Sequence, residues 1–388
     1  MRRAGGILAI FLLLAGAFAA GLVLAGPATH GADDAADAPA PLRPVDEVRR
    51  ELAARYYRHV PRAALRKGTV TEMLEALGDP YTEYLNAAEY DGLKSRTAPS
   101  YSGVGLTVVP SERGLVVRAA LQGPAREAGI ARGDVIVAIN GHSVTKLPFE
   151  QSLMLIKGVA GTKVELTLRR PSAGNMNVTV VREQIAVPVI RTRLLTARGR
   201  KVGYVHVLSF PVRTADGVAR AIRSLVKQGA GGVVLDLREN PGGLVSEAVR
   251  TVSLFQRDGV VCTTAGLHQR QRVYEVSGNA LYPRLPLVVL VNRASASAAE
   301  IVAGALRDNS RALVVGERTY GKAFVQTVRE LSNGEALKLT TAVFLTPAGT
   351  SLSGGGLRPA ITAADDVRTR RDEALARAER ALLAQIPE

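Results

Sequence analysis

The chain is poor in the residues whose spacing most often reveals a scaffold or a metal site. It has one cysteine, Cys262, in 388 residues. That excludes an intrachain disulfide framework and leaves a residue that reads as a buried thiol. Low cysteine usage fits an extracytoplasmic protein without establishing one. No His-Glu-x-x-His run and no cysteine cluster is present, so metal-dependent chemistry is disfavoured and neither a metal nor another cofactor is expected. Aromatic residues are scarce, at 4%, and although the net charge is +15 the arginines are dispersed. Without a basic cluster interleaved with aromatics, nucleic acid is not an expected partner. An anionic lipid surface suits the charge better.

What is present starts at the N-terminus. Met1-Arg2-Arg3 is followed by residues 4–26 without a charge. As a helix this stretch would extend roughly 35 Å, enough to cross a bilayer. Small-residue triplets such as Ala15-Gly16-Ala17 and Ala17-Phe18-Ala19 also permit a cleaved signal peptide. Signal anchor or signal peptide, both place the remainder outside the cytoplasm, because the arginines stay inside. Residues 27–44, rich in Ala, Pro, Asp and Gly, read as a flexible tether. Val48, Leu52 and Tyr56 then recur at helical spacing. A second helix is expected from Val70, capped by Thr69, carrying Met73, Leu74 and Leu77 and stopped by Gly78-Asp79-Pro80. A charged helix is expected within residues 365–388.

Two stretches carry the chemistry. Val233-Val234-Leu235-Asp236-Leu237-Arg238-Glu239-Asn240-Pro241-Gly242-Gly243 reads as a buried strand ending in a Gly-Gly turn, with a helix expected after it. Adjacent glycines after a strand let backbone N–H groups turn toward a ligand. Further on, Leu287-Val288-Val289-Leu290-Val291 reads as a fully buried strand, and Ser295-Ala296-Ser297-Ala298-Ala299-Glu300 leads into a helix. A serine at such a turn is displayed as nucleophiles commonly are, although Ser295 or Ser297 with Glu300 also matches a capping box. Lys322 and Gln326 follow a second buried run, Ala312-Leu313-Val314-Val315-Gly316. None of the five histidines lies in these stretches, which weakens a Ser–His–Asp triad without excluding it.

Together the stretches resemble the C-terminal processing peptidases, serine proteases with a Ser–Lys dyad and an inserted PDZ domain. The family pattern is similar to Ser-Ala-Ser-Ala-Ser-Glu, then Gly-Lys-Gly-x-Val-Gln, with Asp-x-Arg-x-Asn-x-Gly-Gly upstream. The resemblance covers residues 45–362 and includes Asp79-Pro80-Tyr81-Thr82, which alone would read as a turn. It departs at Ala299, Ala323 and Ala360. The resemblance implies an α/β (α+β) fold: a layered, crotonase-like protease core over 187–364, a PDZ domain over 98–186 and an N-terminal helical segment over 45–97. It assigns Ser297 as nucleophile, Lys322 as base and Gln326 as its support. Ala298 with Gly242 or Gly243 would form the oxyanion hole.

In the inserted module, Gly103-Val104-Gly105-Leu106 is where such a domain captures a peptide C-terminus on backbone amides, the peptide adding as a strand. Asn140-Gly141 marks a tight turn, and Val164, Leu166 and Leu168 alternate as an expected final strand. The expected function is therefore a serine endopeptidase that cleaves extracytoplasmic proteins near their C-termini. Its partners would be peptides with free C-termini and, through the N-terminal segment, the membrane. A homo-oligomer or an activating partner is left open. The alternative is a membrane-tethered PDZ binding module with a silent core. An enolate-stabilising enzyme is a further rival, disfavoured by the pairing of Ser297 with Lys322. An unperturbed lysine is only about 0.04% neutral at pH 7, so Lys322 must be desolvated to act as a base.

Overall fold

The structure is a computed structural model, and it describes residues 21–24, 43–97, 100–170, 174–186, 189–366, 368–369 and 371–386. The chain forms two compact units, one of Met1–Thr97 with Val189–Glu388 and one of Ala98–Pro188.

In the larger unit the apolar runs form the middle of a six-stranded sheet. Its order is Ile190–Ala197, Arg200–Val207, Val233–Asp236, Leu287–Val291, Leu313–Gly316, Ile361–Thr362. The first pair is antiparallel and the later pairs are parallel. Parallel neighbours require crossovers, and the helices Thr214–Lys227, Val245–Ser253 and Ala298–Asp308 lie in those connections. The run Leu287–Val291 is apolar at every position because both faces of its strand are covered. Leu287, Val289 and Val291 pack with those three helices. Val288 and Leu290 face the opposite way, onto Ala374, Leu375, Ala378 and Leu382 of the terminal helix Glu373–Leu383. This helix begins later than residue 365, at the point where the Asp372 carboxylate accepts the Leu375 N–H.

A second sheet holds, in order, Gly21–Leu24, Phe324–Glu330, Ala336–Leu345, Val260–Gly266 and Gln269–Glu275, and Glu83–Leu85 also pairs with Ala336–Leu345. Cys262 lies buried in it, and burial pushes its thiol up to about 12. Most of the uncharged stretch 4–26 falls outside the described residues. The part within them corrects the expectation of a helix: Gly21–Leu24 is a strand, parallel to Val325–Val328. A sheet edge offers unpaired N–H and C=O groups that an extended segment can satisfy. No helix among the described residues is long and apolar enough to cross a membrane.

The tether expected to run through residue 44 ends before it, since Pro44 opens the helix Pro44–Arg55, a position where its missing N–H costs nothing. In the next helix, Val70–Leu77, the Thr69 hydroxyl accepts the Glu72 N–H, and Gly78 closes the end with φ 65°. Val48, Leu52, Tyr56, Met73 and Leu77 pack on Leu331, Leu337 and Leu339 of the core.

The smaller unit is an antiparallel sheet in the order Leu106–Ser111, Gly114–Ala120, Val135–Ile139, Lys163–Arg170, Gly174–Val181, with the helices Pro124–Glu127 and Phe149–Ile156. Val164, Leu166 and Leu168 point into its core. Their strand is not the last. Gly174–Val181 pairs with it along its length, and Glu183–Ala186 returns to pair with Ser100–Gly103.

Candidate active site

Ser297 stands at the start of the helix Ala298–Asp308, with φ 54° and ψ −114°. A side chain at positive φ is strained, and such strain concentrates at sites where the surrounding structure enforces it. The two serines of the turn differ in their hydroxyls. Ser295 Oγ donates to the Leu237 carbonyl at 2.7 Å and accepts the Asn292 N–H at 2.9 Å. Ser297 Oγ is buried and has no partner among the described residues. The Ser297–Glu300 pair has the form of the capping box expected from the sequence, with the Glu300 carboxylate accepting the Ser297 N–H.

Glu300, fully buried, holds the turn together. Its Oε2 accepts the N–H of Ser297 and the N–H of Lys322, each at 2.9 Å. Its Oε1 accepts the Gly321 N–H at 2.8 Å and the Thr319 hydroxyl. Burial holds this carboxyl above its ordinary range, outweighing the four hydrogen bonds that favour the charged form. The backbones of Ser297 and Lys322, distant in sequence, thus converge on one carboxylate oxygen.

Lys322 is 3% exposed. Burial, and after it the charge of Lys338, lowers its pKa to about 7, against smaller opposing effects of Glu83, Asp79 and Glu300. Its Nζ lies 4.4 Å from the ring centroid of Tyr81. Phe324 packs on that same tyrosine, the ring centroids 5.3 Å apart and the planes tilted by 36°. Gln326 is buried at a β-bulge, where the register with Ala336–Leu345 shifts between Val325 and Gln326. Bulges re-aim side chains beside active sites. Its Nε2 reaches the Thr340 hydroxyl at 3.4 Å, and its Oε1 has no partner among the described residues.

The two glycines separate by their hydrogen bonds. The Gly242 N–H donates to Asn240 Oδ1 at 2.8 Å. Among the described residues, no acceptor takes the N–H of Gly243 or of Ala298. Gly242 has φ 107°, and a Cβ there would stand 2.9 Å from Ser297 Cβ and 3.0 Å from the Ala298 nitrogen. Only glycine lets the turn approach the serine so closely. Asn240 fixes the approach: its Nδ2 donates to the Val207 carbonyl, and its own carbonyl accepts the Ala296 N–H.

In the smaller unit, Gly103 ends the strand Ser100–Gly103 and Leu106 begins the next. The Val104 carbonyl accepts from Ala125 and the Gly105 carbonyl from Leu121, while neither residue donates its own N–H among the described residues.

A relative from Bacillus subtilis (strain 168), "Carboxy-terminal processing protease CtpA", is 33% identical over 314 residues, 81% of this chain and 67% of that protein. A "Carboxyl-terminal-processing protease" from Picosynechococcus sp. is 38% identical over 294 residues, 75% and 71% of the two chains. The chain belongs to the carboxy-terminal processing proteases. The pattern of Peptidase family S41 matches residues 201–363 of this processing protease, and that of the PDZ domain residues 115–170. Among solved structures, a photosystem II D1 C-terminal processing protease is 30% identical with a TM-score of 0.54, covering 86% of this chain and 95% of its own. This processing protease is therefore a serine-type peptidase with a PDZ domain.

Reading the sequence missed Glu300 as more than a cap, although its place three residues after Ser297 is the signal. It also missed Tyr81 and Thr340, for which distance in sequence leaves no signal.

Proposed function

We propose that the chain is a serine endopeptidase with a Ser297–Lys322 dyad, cleaving extracytoplasmic proteins near their C-termini. The observation that supports this reading is the shared Glu300 carboxylate, which accepts the backbone N–H of both Ser297, whose hydroxyl has no partner among the described residues, and the buried Lys322. With its pKa at about 7, Lys322 is half neutral at neutral pH and able to take the Ser297 proton. Ser297 then attacks the scissile carbonyl, forming an acyl-enzyme and releasing the amine, to which the proton passes. Water hydrolyses the ester with Lys322 again as base. The oxyanion falls to the N–H groups of Ala298 and Gly243, since that of Gly242 is engaged by Asn240. Gln326 supports the site from the bulge.

The PDZ domain selects substrates by holding a free C-terminal carboxylate on the amides of 103–106, while the N-terminal residues before the strand Gly21–Leu24, as an anchor or a cleaved signal, deliver the chain outside the cytoplasm. Ser297→Ala and Lys322→Ala should each abolish cleavage of an unstructured peptide and leave the fold intact. Lys322→Arg should fail too, since Arg stays protonated. Substantial activity in either alanine variant would remove the dyad. Protection of the core from protease added to spheroplasts would contradict the topology.

A further inference from the structure

The segment Asp79–Thr82 reads as an ordinary turn, yet it ends at the proposed base. Asp79 builds the turn on itself: its carboxylate accepts the Tyr81 N–H at 3.0 Å and the Thr82 hydroxyl at 2.7 Å. From this frame two side chains reach the catalytic region. Tyr81 lays its ring under the Lys322 amine, 4.4 Å from Nζ, and braces the ring against Phe324. Thr82, also buried, accepts the Thr340 N–H at 3.1 Å and lies 3.3 Å from the Thr340 hydroxyl. That same hydroxyl accepts from Gln326 Nε2. The Thr340 carbonyl accepts the Tyr57 N–H at 3.0 Å, so Thr340 is held along its main chain by two residues of the N-terminal segment.

We propose that Asp79–Thr82 is a positioning element of the dyad, in which Tyr81 seats the Lys322 amine on its ring face and Thr82 sets Gln326 through Thr340. The proposal rests on the reading of Lys322 as base. A buried ammonium is attracted to an aromatic face. A lysine surrounded only by aliphatic groups would be neutral but unlocated, whereas the ring gives the amine a defined seat in both protonation states. The ring also opposes desolvation, and so limits how far the proton affinity falls. The other charges around Lys322 are Lys338 on the strand Ala336–Leu345, Glu83 and Asp79 on the N-terminal segment, and Glu300 on the nucleophile helix. Lys338 and Glu83 form an ion pair at 2.8 Å, so their opposing effects on Lys322 are coupled. The Tyr81 hydroxyl also meets Tyr320, a contact that Tyr81→Phe removes while keeping the ring face.

The test compares Tyr81→Leu, Tyr81→Phe, Thr82→Val, Thr82→Ser and Lys322→Ala in the full chain. Each is assayed on a fluorogenic, unstructured peptide with a free C-terminal carboxylate, over a pH series. Tyr81→Leu removes the face that favours the charged amine, so the acid limb of kcat/KM should move down by about 0.4–1.5 pH units, and the plateau kcat should fall. Tyr81→Phe keeps the face and should keep the limb. Thr82→Val should lower kcat with KM unchanged, and Thr82→Ser should restore it. A limb that stays in place or moves up in Tyr81→Leu, at unaltered plateau rate, overturns the seat. Thr82→Val with native kcat overturns the link to Gln326. Lys322→Ala separates the two levels: if it is active the dyad itself is wrong, and if it is inactive while Tyr81→Leu is native only the positioning element fails. Melting temperatures, read alongside, identify a variant that has lost its fold, and in that case the phenylalanine and serine variants decide.

Discussion

Replacing Lys322 by methionine should inactivate the protease and make it more stable. Lys322 titrates at about 7 in the fold and at 10.5 when unperturbed. The unfolded chain therefore binds more protons than the folded one between those values, and the folding free energy improves as pH rises through that window. Below pH 7 both states are protonated, and the fold carries the full penalty of a buried ammonium. At 1.36 kcal/mol per pH unit this penalty is about 5 kcal/mol, which is a ceiling because relaxation and local water reduce it. Methionine has a similar length and no charge, so Lys322→Met removes the penalty while filling the space. At pH 6 the variant should melt higher than the native chain, by about 2–4 °C for each kcal/mol relieved. The difference should shrink steadily toward pH 10. Calorimetry or thermal unfolding at pH 6, 8 and 9.5, on the same preparations used for peptide cleavage, reads both effects. A methionine variant no more stable than native at pH 6, or a gap that does not change with pH, would refute the account of Lys322 as a desolvated base.

Other outcomes follow from neighbouring geometry. In the native enzyme kcat/KM should rise with pH on a limb near 7, falling about tenfold per unit below it; a flat profile between pH 6 and 9 would count against a lysine base. Glu300→Ala strips the acceptor from three backbone N–H groups and the Thr319 hydroxyl, and at about 1–3 kcal/mol for each group left buried it should unfold the site, visible as lost activity with a sharply lowered Tm. Gly242→Ala forces a methyl to 2.9 Å from Ser297 Cβ at a strained φ, and should depress kcat far more than substrate binding, measured by titrating the peptide onto Ser297→Ala with and without the change. Amidating a substrate's C-terminus should weaken its binding to the PDZ domain by about 10- to 150-fold, and Gly105→Pro should do the same by deleting an amide; equal binding of acid and amide would leave that domain without its proposed role.

The parts of the fold that could be read from sequence are those specified locally. Leu287–Val291 is apolar at every position, so a strand buried on both faces follows directly. Thr69 and Gly78 mark the ends of their helix because capping chemistry lies within a turn of the residues it caps. The strand Gly174–Val181 is mostly exposed, so its alternation carries little apolar signal. Gly21–Leu24 was misjudged for a different reason: an uncharged run suits a helix or a strand equally, and the decision lies with a partner some 300 residues away. The site shows the same division. Ser297, Lys322 and the Gly-Gly turn stand in recognisable local patterns, whereas the contact of Tyr81 with Lys322 is created only when the segment 79–85 pairs beside Ala336–Leu345.

That pairing also sets the order in which the enzyme becomes competent. Residues gathered at the site run from Asp79 to Thr340, and the sheet beneath them is completed by Ile361–Thr362 and the helix Glu373–Leu383. A chain made from its N-terminus carries the seat for the amine before it carries the nucleophile, the base and the covering helix. The site is therefore gathered from parts that lie far apart in the chain, and none of them is complete by itself.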